Sequence, residues 1–422
     1  MDLSFCSYSL SSNTTNIHHY KNKQIDSLRL MGVGYSCLLL CWSLGGNQDS
    51  DKYRMVPPLY FSMKKNYLLL IVLMILMSVI TVQAQETYSV YNEENKMLTI
   101  YYDTQKDKRN GRHIDNPFHF DYETQGNFGY EIEIVEYDTS FANYPLDLDD
   151  IPELFSDCIF SEIRGLENLN TENATDMYRM FYHCWRLKSI DLSCLKANKV
   201  ESMAQMFDNC CSLESVNLNG FKADHLKNIW CMFSGCEMLE NIDFSGFDAK
   251  NIELMGQLFM CCYNLKNINF NGFDTKHVTN MVNVFQNCTN LTSVDLSGFN
   301  TANVVDMWGM FIRCSNLTTI YVGDGWTVEN IRYPVDNMFE DCESLMGGKG
   351  TKYNSNHIDI SYARIDGGPS KPGYLTKKDP NVIKILVSDN RKDESVYTLG
   401  GQRLSSPKKG VNIIDGHKVV IR

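Results

Sequence analysis

The chain has 422 residues, of which 43% are hydrophobic, and a formal net charge of −12. An acidic protein of this kind has no electrostatic reason to bind nucleic acid or an anionic membrane, so we expect neither as a partner. It also contains 15 cysteines, a number that in an exported protein would normally indicate a disulfide framework.

The segment 63–84 reads MKKNYLLLIVLMILMSVITVQA, with two lysines, an unbroken apolar run and small residues at both cleavage-recognition positions. This pattern predicts a secretory signal peptide, so we expect export to the cell surface or the medium and a mature protein beginning near Gln85. Met63 is therefore the expected start. Residues 1–62 are interpreted as untranslated or disordered, and the alternative is an unusually long leader. The mature chain would have a net charge of −15, and no apolar run in it is long enough to span a bilayer.

Residues 85–154 do not repeat. The segments MLTIYYD (97–103) and YEIEIVEYD (130–138) alternate apolar and polar residues, which predicts strands. We interpret this region as a β-rich N-terminal cap that covers the open end of the structure that follows.

From residue 155 to residue 345 the chain repeats itself. A Phe followed three residues later by a Cys recurs every 26 residues, and after 28 residues for the last copy. A fixed period of this length predicts a solenoid, in which each unit packs only on its neighbours. The cysteines of this column are Cys158, Cys184, Cys210, Cys236, Cys262, Cys288, Cys314 and Cys342.

Each repeat combines two periodicities. From Val304 to Leu317 the apolar residues are spaced by three and four, which predicts one face of a helix, whereas Leu291 to Leu296 ends in the alternation of a strand. We therefore expect an α/β solenoid, built as a stack of units that each contain a helix and a short parallel strand.

The segments LTSVDL (291–296) and LKSIDL (187–192) resemble the opening of the leucine-rich repeat, although Phe299 stands where that repeat has an Asn. Together with DLSGFNTANVVDMWGMF (295–311), the 26-residue period closely resembles the bacterial surface-protein repeat of BspA-like leucine-rich repeat proteins. The resemblance implies a leucine-rich-repeat-like stack in a secreted or surface-exposed binding protein, often linked to adhesion. The resemblance implies no catalytic residue and no cofactor.

The cysteine column is expected to consist of reduced, buried thiols that act as small apolar side chains and form a structural ladder. Neighbouring helices pack about 8 to 10 Å apart, whereas a disulfide needs Cα atoms within roughly 7 Å. No C-x-x-C pair is present, so we expect no metal site.

The chain ends differently from its repeats. We interpret residues 346–379 as a C-terminal cap and linker, and residues 380–422 as a small β module with strands at IKILV (383–387), SVYTL, GVNIID and HKVVIR. Asp415 and Gly416 predict a two-residue hairpin turn. The tail is similar to the C-terminal tails of exported Bacteroidales proteins, including sorting modules of the type IX route. A simple terminal β module is the alternative.

Two sets of residues are candidates for a binding surface. One set lies between the last two apolar positions of successive strands and alternates Asp and Asn, which doubles the distance between carboxylates and would suit a polar ligand such as a glycan, or no ligand. Its members are Asp191, Asn217, Asp243, Asn269 and Asp295. The other set is Trp230 and Trp308, which either interlock with small neighbours or are exposed as interaction anchors.

No nucleophile and base occupy neighbouring repeat positions, so we expect no enzymatic activity. The predicted function is that of a secreted or cell-surface leucine-rich-repeat binding protein for adhesion or protein or glycan interaction. Its ligand is an unknown protein or glycan of the host matrix or of another bacterial surface, and the protein is expected to be a monomer. The alternative is a secreted enzyme or effector with its site in the non-repeat flanks, 85–154 or 380–422.

Overall fold

The computed structural model describes residues 84–120, 131–147 and 151–378, together with four short strands between residues 396 and 421. Residues 1–62, the predicted signal peptide up to residue 83 and the strand predicted at 383–387 lie outside the described residues. Regular structure in the described part consists of strands and 3₁₀ turns, without any α-helix. The 3₁₀ turns are Asp107–Arg109, Thr139–Asn143, Leu166–Asn168 and Ile360–Tyr362.

The first five strands form one sheet in the order β3-β1-β2-β4-β5. β1 and β2 are an antiparallel hairpin, whereas β2, β4 and β5 run parallel. The predicted alternation is visible in β4, where Val135 and Tyr137 are buried and Ile134 and Glu136 are partly exposed, whereas three consecutive residues of β2 are buried. The strands are β1 (Glu86–Asn92), β2 (Met97–Asp103), β3 (Arg112–His113), β4 (Ile134–Tyr137) and β5 (Glu162–Arg164).

The repeats contribute short parallel strands at equivalent positions. In each strand two residues face outward while the apolar residues between and after them face the core, as Ile190 and Leu192 do in the first one. A last parallel strand, β12, pairs with β11. These strands are β6 (Ser189–Asp191), β7 (Ser215–Asn217), β8 (Asn241–Asp243), β9 (Asn267–Asn269), β10 (Ser293–Leu296), β11 (Thr319–Val322) and β12 (Leu375–Lys377).

The C-terminal strands form a separate antiparallel sheet in the order β14-β13-β15-β16. Three of them coincide with the segments SVYTL, GVNIID and HKVVIR, and the last two form the predicted hairpin. The strands are β13 (Val396–Thr398), β14 (Arg403–Leu404), β15 (Gly410–Ile414) and β16 (His417–Ile421).

The predicted helix of each repeat is wrong. In its place lies a turn segment, which we define as residues 177–183 and their equivalents in the other repeats. Its N–H groups at Met177, Arg179, Phe181 and His183 donate to carbonyls of the next repeat, with N···O distances of 2.8 to 3.0 Å. An α-helix would direct these groups to its own carbonyls four residues back. The stack of helices and strands is therefore replaced by stacked coils of turns and strands.

Two residues in each turn segment have a left-handed backbone. The equivalents of His183 have φ between 57° and 69° in all eight repeats, and those of Arg179 have φ between 54° and 62° from Glu153 to Gly309. Such a conformation interrupts a right-handed helix and costs a non-glycine residue roughly 1–2 kcal/mol. The second column is rich in the residues that tolerate it best, since five of its eight members are Asn, Asp or Gly. These eight are Asp157, His183, Asn209, Gly235, Cys261, Asn287, Arg313 and Asp341.

The turn segments bring consecutive repeats as close as strands in a sheet. The Phe residue of each F-x-x-C motif stacks on that of the next, with ring centroids 5.1 to 6.0 Å apart and planes within 14°. The stack runs from Phe155 to Phe339 in the buried core. Spacing of this size excludes neighbouring helices, which need about 8 to 10 Å.

Disulfides were excluded from the cysteine column on the assumption that neighbouring repeats pack as helices, about 8 to 10 Å apart. The repeats are closer than that, so the distance between them no longer excludes disulfides. The structure has the eight cysteines as buried thiols that are not joined by disulfides. From Cys184 onward each thiol donates to the carbonyl oxygen of the Phe 29 or 31 residues earlier, at Sγ···O distances of 2.9 to 3.2 Å. Cys158, the first of the column, donates instead to the carbonyl of Phe118 at 3.3 Å. Each repeat Phe carbonyl also accepts the backbone N–H of the Cys in its own repeat, at N···O distances of 3.1 to 3.3 Å. Cysteine therefore combines small apolar volume with a second hydrogen bond to the buried carbonyl.

We expect the eight column thiols to react with a thiol reagent only after denaturation. Burial raises the pKa of the seven column thiols from Cys184 to Cys342, that of Cys342 to about 12, which suppresses the reactive thiolate. Because the folded-state pKa is raised above the unfolded value of about 8.5, the neutral thiols stabilise the fold below that pH, and this contribution is lost as pH rises through the raised pKa. Titration of residues 85–422 with dithionitrobenzoate, with and without denaturant, measures this. Fast native labelling of most of the eight would contradict the buried ladder.

Replacing Arg313 with Gly should stabilise the fold by up to ~1 kcal/mol, because glycine adopts positive φ without steric cost. Arg313 is exposed and has φ of 60°, and its ion pair with Asp341 is 3.6 Å long and solvated. The matched control is Ala302→Gly at an exposed position with ordinary φ, which should lose roughly 0.5–1 kcal/mol. Urea denaturation measures both. A helix at Arg313 would make both variants less stable.

Candidate functional site

The five residues of the predicted Asp/Asn column lie on one face of the repeat strands. Asp191 pairs in register with Asn217 on the neighbouring strand, and Asp243 pairs with Asn269. Asp295 holds the equivalent position in β10. We call this surface, with the outward residues Ser215, Asn241 and Asn267, the strand face.

Every residue of the column also caps the turn that follows its strand. The side-chain Oδ1 accepts the backbone N–H two residues later, at 2.8 to 3.1 Å in all five repeats. Such a bond is typical of Asp and Asn at turns. It accounts for the lowered pKa of Asp243, whose main cause is the backbone N–H of Ser245. The column thus has a structural task in each repeat.

The amides of the strand face also connect neighbouring repeats. Asn269 Nδ2 donates to Asp243 Oδ1 at 2.9 Å, and Asn267 Nδ2 donates to Asn241 Oδ1 at 2.7 Å. At the far end, the Lys378 ammonium contacts the Asp295 carboxylate. An Asn between two Asp residues therefore separates like charges and supplies a donor to one of them.

From β6 to β12 the strand ladder is interrupted twice, between β7 and β8 and between β9 and β10; the unpaired step from β5 to β6 precedes them. Both interruptions coincide with a change of the inward residue, from Leu218 to Phe244 and from Phe270 to Leu296. The two Phe rings stack on each other at 5.6 Å, and we attribute the breaks to the difference in volume between Leu and Phe. A shallow groove lined by both apolar and polar side chains crosses β7, β8 and β9 at the first break.

The two predicted tryptophans lie in a separate column, that of the turn segments, and the structure does not place them with the strand-face residues. Trp230 is half-buried and covers Gly256 of the next repeat, where a Cβ would lie 2.3 Å from its ring. Trp308 has 41% of its surface exposed. Of the two alternatives, interlocking describes Trp230 and exposure describes Trp308.

Other aromatic residues near the turn segments were missed from the sequence. Trp185 and Tyr263, which share a repeat position, are 36% and 39% exposed. The Arg179 guanidinium lies over the rings of Tyr178 and Tyr182, at 4.9 and 4.6 Å from their centroids. For Trp185 and Tyr263 the signal was present in the sequence, because the residues at the same position in the other complete repeats are small or polar.

The described residues contain no group of three or more His, Cys, Asp or Glu side chains arranged to hold a metal ion. In the same part of the chain, no helix has the length and hydrophobicity needed to cross a bilayer. The eight repeat cysteines are buried within the core.

Comparison with known proteins gives one family and one solved structure. The crystal structure is that of a leucine-rich repeat protein from Bacteroides ovatus, with 16% identity, a TM-score of 0.27, and coverage of 62% of this chain and 80% of that one. No curated protein matches the chain. The family model matches residues 149–269 and 257–363, which include the predicted repeats and together span just over half of the chain. The chain therefore belongs to the family described as "Mycoplasma protein of unknown function, DUF285".

Proposed function

We propose that the chain is an exported cell-surface repeat protein that binds a protein or glycan ligand and has no catalytic activity, in the manner of BspA-like adhesion proteins. The observation that carries the proposal is the set of exposed aromatic residues near the turn segments, among them Trp185, Tyr263 and Trp308. Aromatic and Arg side chains dominate the energetics of binding surfaces. The core has its own stack of Phe rings, from Phe155 to Phe339, and these exposed aromatic residues lie outside it. Their exposure favours a role in recognition.

The properties of the cysteines support a binding function over a catalytic one. Catalytic thiols are accessible and have a lowered pKa. Burial instead raises the pKa of Cys236, Cys262 and Cys288, and their Sγ atoms donate to backbone carbonyls. These cysteines stabilise the folded core, so we place the ligand-binding site on the protein surface.

The proposal predicts saturable binding by the mature chain without turnover. Immobilised residues 85–422 should retain a component from a panel of host-matrix proteins and bacterial-surface glycans, because the exposed aromatic residues supply binding anchors. The matched control is the same protein with Trp185, Tyr263 and Trp308 changed to Ala, which should lose at least about tenfold in affinity, equivalent to ~1.4 kcal/mol. Hydrolysis of any panel member by the mature chain, or equal binding by the control, would contradict the proposal.

The strand face has a structural role in this account. Its Asp and Asn side chains cap turns and link repeats, and it lacks the Trp, Tyr and Arg residues that anchor protein partners. A neutral Asn between acidic repeats keeps Asp191, Asp243 and Asp295 two repeats apart, a distance of roughly 10 Å.

Changing Asn217 and Asn269 to Asp should therefore destabilise the fold at low salt. Carboxylates would then occupy five consecutive repeats about 5 Å apart, with a repulsion of roughly 1 kcal/mol per neighbouring pair in water. The loss should recover at high salt, where screening is stronger. The control, Asn219→Asp with Asn271→Asp, adds the same charge in a neutral column and should lose less. Melting temperatures at 10 mM and 500 mM salt compare the two proteins, and an equal loss in both would show that the column is not stacked.

A further inference from the structure

The turn segments lose their regular pairing after the last complete repeat. Phe311 and Arg313 still donate to Met338 and Glu340 of the next coil, at 3.0 and 2.7 Å. In that register Gly309 faces Asp336, yet no hydrogen bond in the described part of the chain pairs the Gly309 N–H. The two-residue insertion in this repeat and Pro334, which has no N–H, account for the local opening.

Two buried amide oxygens remain without partners beside this opening. In earlier repeats the side chains of this column bond to one another, as when Arg179 Nε donates to Gln205 Oε1 at 2.8 Å. Gly309 has no side chain, and its neighbours in the column are Asn283 and Asn337. Both have a buried Oδ1 without a hydrogen-bond partner, and Asn283 is only 7% exposed. The Asn283 oxygen is aimed at Gly309, where a Cβ would lie 2.2 Å from it.

Exposed aromatic rings and a cleft accompany these unpaired groups. Trp308, directly before Gly309, is 41% exposed, and Tyr333 is 58% exposed. Asp336 is the next member of the Trp308 column and lines a cleft of about 500 Å³. The cleft is also lined by Val328, Ile331, Tyr333, Ile360 and Arg364. A concave site with apolar walls and a few polar groups is typical of ligand binding.

We propose that this place, which we call the Trp308 site, binds a neutral oligosaccharide. The inference rests on the proposed function and names its ligand class. A sugar ring presents an apolar face to an aromatic platform such as Trp308, and its hydroxyl groups both donate and accept hydrogen bonds. Donation satisfies the oxygens of Asn283 and Asn337, and a hydroxyl oxygen accepts the Gly309 N–H.

Charge decides between neutral and anionic sugars. Asp336 and Asp359 both line the cleft, where Arg364 is the one cation among the described lining residues. The protein as a whole is acidic, with a formal net charge of −12. Uronic acids, sialic acids and sulfated sugars would be repelled, whereas carboxylates accept hydrogen bonds from neutral hydroxyl groups.

The test titrates residues 85–422 with neutral hexasaccharides of glucose, mannose, galactose and N-acetylglucosamine, and follows Trp fluorescence and heat of binding. At least one of them should bind, and Trp308→Ala should weaken that binding about tenfold or more. Met238→Ala, which removes an exposed apolar side chain more than two repeats away in sequence and outside the proposed binding residues, should bind like the parent. Asn337→Ala, which removes one unpaired oxygen, should weaken binding without lowering the melting temperature.

Failure of all four hexasaccharides to bind would overturn the Trp308 site, and so would equal affinity of Trp308→Ala and the parent protein. Tighter binding of an acidic hexasaccharide built of uronic acids than of its neutral counterpart would also overturn it, because the carboxylates of the site should repel the acidic sugar. The same experiments test the proposed function separately. If Trp308→Ala still captures a matrix or surface component as the parent does, the binding function stands and only the oligosaccharide site is lost.

Discussion

The structure depends on the hydrogen bonds that run from each turn segment to the next repeat. They use alternate N–H groups, as at Met177, Arg179, Phe181 and His183, and so align every coil with its neighbour. Buried backbone groups must find partners, and here neither a helix nor a long strand provides them. The left-handed residues are the cost of this arrangement, because they turn the chain so that these groups point along the stack.

The side chains of the core follow from that alignment. At a repeat distance close to that of β-strands, identical residues stack on themselves, which suits flat Phe rings and small Cys thiols. From Cys184 onward each thiol then lies next to the Phe carbonyl of the preceding coil and gives it a second donor. Where the inward residue changes between Leu218 and Phe244, the strands separate and a groove opens on the surface. Exact repetition thus stabilises the stack, and departures from it shape the surface.

The sequence predicted the repeat, the short parallel strands and the buried columns, because period and apolar pattern are properties of one chain segment. It predicted a helix wrongly, since turns of about four residues produce the same apolar spacing as a helix. The distinguishing signal was the residue before each repeat Cys, often Asn, Asp or Gly, as at Asn209 and Gly235. The Trp308 site could not be predicted, because Asn283, Gly309 and Asn337 meet only when repeats are stacked in register.

The most direct test of the account is the far-ultraviolet circular dichroism of folded residues 85–422. If the N–H groups of the turn segments bond between repeats, the spectrum should lack the paired minima near 208 and 222 nm that characterise α-helix, as expected for a chain whose described residues contain only strands and 3₁₀ turns. Strong minima at both wavelengths, of the size expected for a helix in every 26-residue repeat, would contradict it.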